Sequence, residues 1–297
     1  MSYSKLIANA PNTIRTDPTA KRFEIGDLLF AQYHCPAHDS FGIWTETDYI
    51  LHVLSSKIFW KTHSGTYSAD AGETVFFKKG AYVLPTQLYD DLCVEMFFIP
   101  DTFVRQTIMD LAENLPVLSD RVDTGEPTIR VNNDVALSAF FHAMSIYFAS
   151  EETPAEPLLR LKLKELLTSI LLWQNNPSLS AYFQYLAANE APSIPAIMEM
   201  NFCHNLSIES FAEMCHRSLS SFKREFRKHF GSTPGKWLLE RRLQHSASLL
   251  QATEMSITEI MCECGFEDLS HFSRAFKEKF GCSPSGYRIL RTHSSVG

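Results

Sequence analysis

Phe222-Lys-Arg-Glu-Phe226-Arg-Lys-His-Phe230-Gly231-Ser-Thr-Pro234 returns fifty residues later as Phe272-Ser-Arg-Ala-Phe276-Lys-Glu-Lys-Phe280-Gly281-Cys-Ser-Pro284. A pattern written twice at a fixed offset builds the same unit twice. Phenylalanines at i, i+4 and i+8 lie on one face of a helix, which must then be the buried face. The glycine suits a left-handed C-cap, and the proline three residues on cannot continue the helix.

Each copy is preceded by a shorter helix with its own start signal. Ser207 is placed to cap a helix over Ile208–Cys215, and Ser256-Ile-Thr-Glu259 spells a capping box for a helix through Cys264. The connections are tight: His216-Arg217-Ser218 in the first copy, Gly265-Phe266-Glu267-Asp268 in the second. Helix, short turn, helix is the geometry that sets a second helix into the major groove of DNA. The sequence predicts it twice, over residues 194–297.

With each Phe stripe turned inward, the other positions of the second helices face outward. In the first copy these are Ser220, Ser221, Lys223, Arg224 and either Arg227 or Lys228; in the second, Ser270, His271, Ser273, Arg274 and Lys277. Side chains of these types donate to base edges and phosphates, so these residues, with Lys228 taken for the alternative, are the candidate DNA contacts. Lys236, Arg241 and Arg288 are weaker candidates for phosphate contacts, since Arg241 and Arg288 could equally form local ion pairs.

The run from Ile257 through Gly265-Phe266, Asp268, Ser270, Phe272, Arg274, Phe276, Phe280-Gly281 and Pro284 to Tyr287-Arg288 resembles the C-terminal signature of the AraC/XylS family of transcription regulators. Arg242-Leu243 with Leu249-Leu250 is similar to the long helix joining that family's two motifs. Met261 and Ser246 stand where the family usually has alanine. The resemblance implies a DNA-binding regulator, more often an activator than a repressor, working with RNA polymerase at a promoter. It also implies that Lys223, Arg224, Ser273 and Arg274 fall on base- or backbone-contacting positions.

Charge distribution agrees with a localised DNA-binding surface. From Ala191 onward there are 13 Lys and Arg against 11 Asp and Glu, out of 27 and 34 in the whole chain, which leaves +2 there and −9 upstream. Seven scattered cysteines, Cys35, Cys93, Cys203, Cys215, Cys262, Cys264 and Cys282, do not spell a disulfide framework and point to a reducing cytoplasm. No stretch approaches the roughly 18 apolar residues of a membrane span, and Met1–Ala10 lacks the apolar run of an export signal.

Upstream, residues 1–180 read as a sensor domain. Short β-rich runs, Tyr49–Leu54, Thr74–Phe77 and Cys93–Ile99, lie between turn signals such as His63-Ser64-Gly65, predicting an antiparallel barrel or sandwich over about 22–100. Gly72–Gly80 is similar to the second motif of cupins, so the resemblance implies the family's cupin-like barrel. Enzymatic cupins hold a metal with an H-x-H pair, which is missing; His34, His38, His52 and His63 lack the spacing, and no metal, cofactor or enzymatic activity is expected. A second rival, a DNA-repair protein with a zinc-held acceptor cysteine, needs a tight N-terminal cysteine cluster that Cys35 and Cys93 do not supply. Phe76–Val83 resembles AraC-type activators of type III secretion, some of which partner proteins control, so small-molecule and protein effectors stay open.

Helical spacing takes over at Asp101–Asn114, Asp134–Ala149 and Pro157–Trp173. Leu159, Leu163, Leu166, Ile170 and Trp173 repeat at steps of four, three, four and three, the seam of a helix that packs on another helix. The expectation is a homodimer through Leu159, Leu163, Leu166 and Ile170, the alternative being that this helix covers the β domain. Residues 181–193 read as a linker. The predicted class is α+β: a cupin-like barrel with dimerising helices, then an all-α domain of two helix-turn-helix motifs joined by a long helix.

Overall fold

A computed structural model of the chain describes residues 7–35, 41–62, 65–85, 91–112, 114–116, 126–189 and 192–294. It divides into two compact units, Ile7–Ala196 and a second from Ile197 onward, close to the expected entry at Ile194. Of the histidines weighed above, His38 and His63 lie outside the described residues, as do Ser64 and Ala191.

The N-terminal unit runs β1 (Ile7–Asn9), α1 (Ala10–Thr16), β2 (Lys21–Ile25), β3 (Leu28–Cys35), β4 (Phe41–Thr45), β5 (Asp48–Ser55), β6 (Lys57–Thr62), β7 (Gly65–Asp70), β8 (Thr74–Phe77), β9 (Gly80–Leu84) and β10 (Leu92–Ile99). There follow α2 (Asp101–Leu111), β11 (Thr128–Val131), α3 (Val135–Ala149), α4 (Glu156–Leu172) and α5 (Pro177–Ala188). The strands form two sheets, in the orders β11-β8-β5-β10-β3-β2 and β1-β4-β9-β6-β7.

The sheets stack face to face over one core that includes Tyr49, Val53, Phe77 and Phe98 from the first and Trp60, Ala69 and Tyr82 from the second. Among the described residues no ladder joins them into a closed barrel. The expected cupin-like barrel is thus corrected to a pair of stacked sheets. Alternation along a strand says which face is apolar; it says nothing of whether edge strands meet.

The other face of the six-stranded sheet carries a second core, where Phe30, Ile50, Phe76 and Phe97 meet helices α3, α4 and α5. Leu159, Leu163, Leu166 and Ile170 belong to it, at 1, 0, 0 and 0 % exposure. They are the internal seam of the unit and not the contact between two copies, which corrects the dimerisation expectation for all four. The 4-3-4-3 spacing identifies a packing face; which surface fills it is a tertiary matter. The expected linker also shrinks. Residues 181–188 continue α5, begun by Pro177 at its first position, and bury Tyr182, Phe183 and Leu186.

One level along the same sheet face, the paired positions are polar: Lys21, Gln32, Glu95, His52 and Thr74. Glu95 is fully buried and accepts from Ser145 Oγ of α3 at 2.7 Å, while His52 Nδ1 lies 2.8 Å from Thr74 Oγ1. Burial pushes the Glu95 carboxyl up to about 7 and the His52 imidazole down to about 4. The signs oppose. Stability from protonated Glu95 is present below 4.5 and lost as pH rises through 7, whereas neutral His52 costs stability at low pH that is recovered as pH rises through 6.5. Glu95→Gln removes the first contribution. In urea melts the variant should gain stability between pH 4.5 and 6.5, where the parent is flat, and exceed the parent by about 2–3 kcal/mol above pH 7. Parallel pH profiles would refute a buried acid at this position.

Candidate nucleic-acid interface

Helix α6 (Ile194–Asn201) spans the boundary, and the described residues beyond it form helices only: α7 (Ile208–Met214), α8 (Leu219–Phe230), α9 (Pro234–Ala252), α10 (Ile257–Glu263), α11 (Leu269–Phe280) and α12 (Pro284–Ser294). The local signals operate as read. Ser207 Oγ caps α7, and Ser256 with Glu259 makes a reciprocal capping box on α10. Ser218 and Asp268 cap α8 and α11 at equivalent positions, and Gly231 and Gly281 end those helices in the left-handed conformation.

The repeat extends into the packing. Ring centroids of Phe222 and Phe226 lie 5.7 Å apart and those of Phe226 and Phe230 4.5 Å; Phe272–Phe276 and Phe276–Phe280 give the same two distances. Trp237 closes the first stripe at 5.1 Å from Phe230, and Tyr287, fifty residues on, closes the second at 5.4 Å from Phe280. Phe222, Phe226, Phe272 and Phe276 are fully buried.

That anchoring decides which residues face out. Ser220, Lys223, Arg224 and Lys228 on α8 are exposed, as are Ser270, His271, Arg274 and Lys277 on α11; Ser221 and Ser273 are half-buried. Arg227, the alternative to Lys228, is exposed too. Of the weaker candidates Lys236 is exposed, 4.0 Å from Glu240, while the two arginines are otherwise engaged. Arg241 pairs with Glu199 at 2.9 Å and lies over the Phe202 ring, and Arg288 Nη2 donates to the Met255 carbonyl at 2.6 Å. Arg241 thus makes the local ion pair that was its other reading, whereas the contact of Arg288 is with a backbone carbonyl.

Two features escaped sequence reasoning. Arg242, inside α9, donates to the carbonyls of Phe202 at 2.6 Å, His204 at 2.8 Å and Gly265 at 3.1 Å, tying the segment after α6 to the turn of the second motif. Arg217, in the first turn, pairs with Glu225 of α8 at 2.8 Å. Near Arg242, Glu240, Arg241 and Gln244 are polar, so nothing in the local sequence marked the first. Nothing local signalled the second.

Outward cations on two equivalent helices, with serines interspersed, suit hydrogen bonding to base edges and phosphates of a duplex. Residues 211–289 match a family model described as a helix-turn-helix domain, and residues 48–182 match the ExsA N-terminal regulatory domain. The virulence regulon transcriptional activator VirF of Yersinia enterocolitica is 25% identical over 243 residues, 82% of this chain and 89% of VirF. The HTH-type transcriptional regulator ExsA of Pseudomonas aeruginosa is 26% identical over 240 residues, 80% of this chain and 84% of ExsA. The solved DNA-binding domain of AdpA, in complex with a target DNA, is 29% identical, with a TM-score of 0.31, over 32% of this chain and 87% of that one.

Proposed function

The chain belongs to the AraC/XylS family of transcription regulators, and on that premise we propose that it activates promoters by reading duplex DNA with α8 and α11 in successive major grooves. The observation that carries this reading is the duplicated core: equal Phe stacks turn Arg224 and Arg274 outward at equivalent positions of α8 and α11. Two such helices joined by α9 reach the same face of a duplex about one turn apart, so one chain reads two boxes separated by roughly 10 base pairs. Arg224 and Arg274 read base edges, Lys277 holds phosphate, and the remaining exposed polar residues of both helices complete the contact.

Binding-site selection on the full chain tests this. Arg224→Ala and Arg274→Ala should each cost about 1–3 kcal/mol and relax preference in different boxes. Lys277→Ala should weaken all sequences alike and reduce the salt slope by about one. Relaxed preference in the same box for both arginines, or in neither, overturns the assignment.

RNA polymerase is the partner at the promoter, in the cytoplasm, and the N-terminal unit receives the signal. Ring packing between its sheets favours a partner protein as that signal over a small ligand: Tyr49 stacks on Phe77 at 4.8 Å, with Trp60 at 5.0 Å from the same ring. A homodimer would then use the outward side of α4, where Leu158 and Leu161 are exposed.

A further inference from the structure

The two motifs share a backbone and a core, yet differ in the side chains behind their reading faces. In the first, Arg217 Nη1 donates to the Cys215 carbonyl at 2.7 Å and Nε to Glu225 Oε2 at 2.8 Å. Ser221 Oγ donates to Glu225 Oε1 at 2.9 Å, and Arg224 Nη2 donates to Ser221 Oγ at 3.3 Å. An unbroken chain of hydrogen bonds thus runs from the end of α7, through the turn, to an exposed guanidinium on α8. Fifty residues on, the positions of Arg217, Ser221, Arg224 and Glu225 hold Glu267, His271, Arg274 and Ala275. The carboxylate is replaced by a methyl group and the turn cation by an acid. Among the described residues no protein group hydrogen-bonds the Arg274 side chain.

A serine hydroxyl has a single proton. In the first motif Glu225 takes it, which leaves Ser221 Oγ as an acceptor, and that role is filled by Arg224. The pair with Arg217, then the bond from Ser221, hold the Glu225 carboxyl below its usual range, so it stays an anion and its demand on the serine proton is permanent. Arg217 in turn neutralises a charge that would otherwise face the phosphates from within a reading helix.

We propose that Glu225 is the positioning residue of the first motif: acting through Ser221, it holds the Arg224 guanidinium in a preset orientation, while Arg274 reads from an unbraced one. This rests on the reading of α8 and α11 as base-reading helices and deepens it. Ser221 becomes the middle of the relay in place of a direct base contact. Immobilising a long side chain on binding opposes association, and a preset guanidinium avoids part of that loss. It also rejects a wrong base more sharply, because it does not relax onto a neighbouring acceptor. The first box is therefore read more stringently than the second.

The experiment is competition binding of the full chain to its selected duplex, against duplexes with one base pair changed in one box. Glu225→Ala should lower discrimination in the first box five- to tenfold, leave the second box unchanged, and leave the salt slope unchanged because no phosphate contact is lost. Ser221→Ala should do the same, and the double variant should be no worse than either alone, as members of one relay are not additive. Glu225→Gln, which keeps an acceptor for Ser221, should recover most of the discrimination. Uniformly tighter binding by Glu225→Ala with discrimination intact would mean that the acid acts only through its charge, and equal loss in both boxes that it merely stabilises the unit. Either result overturns the relay. A parent protein with no base preference would overturn the reading of α8 and α11, and the relay with it; a preference that survives Glu225→Ala sinks the relay alone.

Discussion

Leu163→Glu is expected to unfold the N-terminal unit, not to dissociate a folded dimer. The side chain is wholly buried where α4 packs against the second face of the six-stranded sheet, in one core with Phe140, Phe141 and Phe183. Removing its apolar bulk alone, as in Leu163→Ala, should cost about 2–5 kcal/mol. Glutamate adds a carboxylate inside an apolar core, several kcal/mol more, and the sum is comparable with the roughly 5–15 kcal/mol that holds a typical domain together. Leu161, two residues away and 63% exposed, supplies the contrast. Leu161→Glu should leave the unfolding free energy from urea melts within about 0.5 kcal/mol of the parent, as surface changes do. If two copies pair through the outward side of α4, the same variant should appear as a monomer by light scattering. A folded Leu163→Glu protein would refute the internal seam; an unchanged oligomer for Leu161→Glu would refute pairing through that face.

Gly265→Ala should be the most damaging small substitution in the C-terminal unit. Gly265 has φ +78°, and an added Cβ would overlap the carbonyl oxygen of Cys203 and lie 3.3 Å from the Arg242 guanidinium carbon. The left-handed conformation alone costs a non-glycine residue about 1–2 kcal/mol. Overlap with backbone, which unlike a side-chain tip does not swing away, adds about 1–3 kcal/mol. It also threatens the Arg242 hydrogen bonds that tie this turn to the carbonyls of Phe202 and His204. The expected loss is about 2–5 kcal/mol, with weakened reading by α11 because its turn is displaced. Gly281 makes the control. Its φ is the same but nothing lies within 4 Å of a built Cβ, so Gly281→Ala should cost only the conformational part. Equal losses at the two positions would show that the Cys203 contact plays no part.

The sequence by itself determined the C-terminal unit almost entirely, because each signal there acts within a dozen residues. Caps at Ser207, Ser218, Ser256 and Asp268 bond to amides three residues on, Gly231 and Gly281 end helices where they stand, and the Phe stripes fix the outward faces through helical geometry alone. That is why the candidate DNA contacts at Ser220, Lys223, Arg224, Lys228, Ser270, His271, Arg274 and Lys277 fall on the surface as read. The relay from Arg217 to Glu225 was not legible, since a charge in a turn does not announce that it folds back onto the next helix.

In the N-terminal unit the tertiary structure decided more. The strand runs at 49–54, 74–77 and 93–99 and the helices α2, α3 and α4 stand where periodicity put them, but α5 occupies much of the expected linker, and β10 pairs with β3 some sixty residues earlier and with β5, partners that no local signal specifies. One clue was present: Leu92–Ile99 is buried at every position, and Cys93–Ile99 is apolar apart from Glu95, the pattern of a strand covered on both faces. A layer must therefore lie on its outer side. The seam Leu159–Leu163–Leu166–Ile170 is that layer's inner edge, so the same four residues that spacing offers to a partner are taken up by the chain's own sheet. Periodicity reports that a face is buried. What buries it depends on which apolar surfaces the rest of the chain leaves uncovered, and only the assembled fold contains that information.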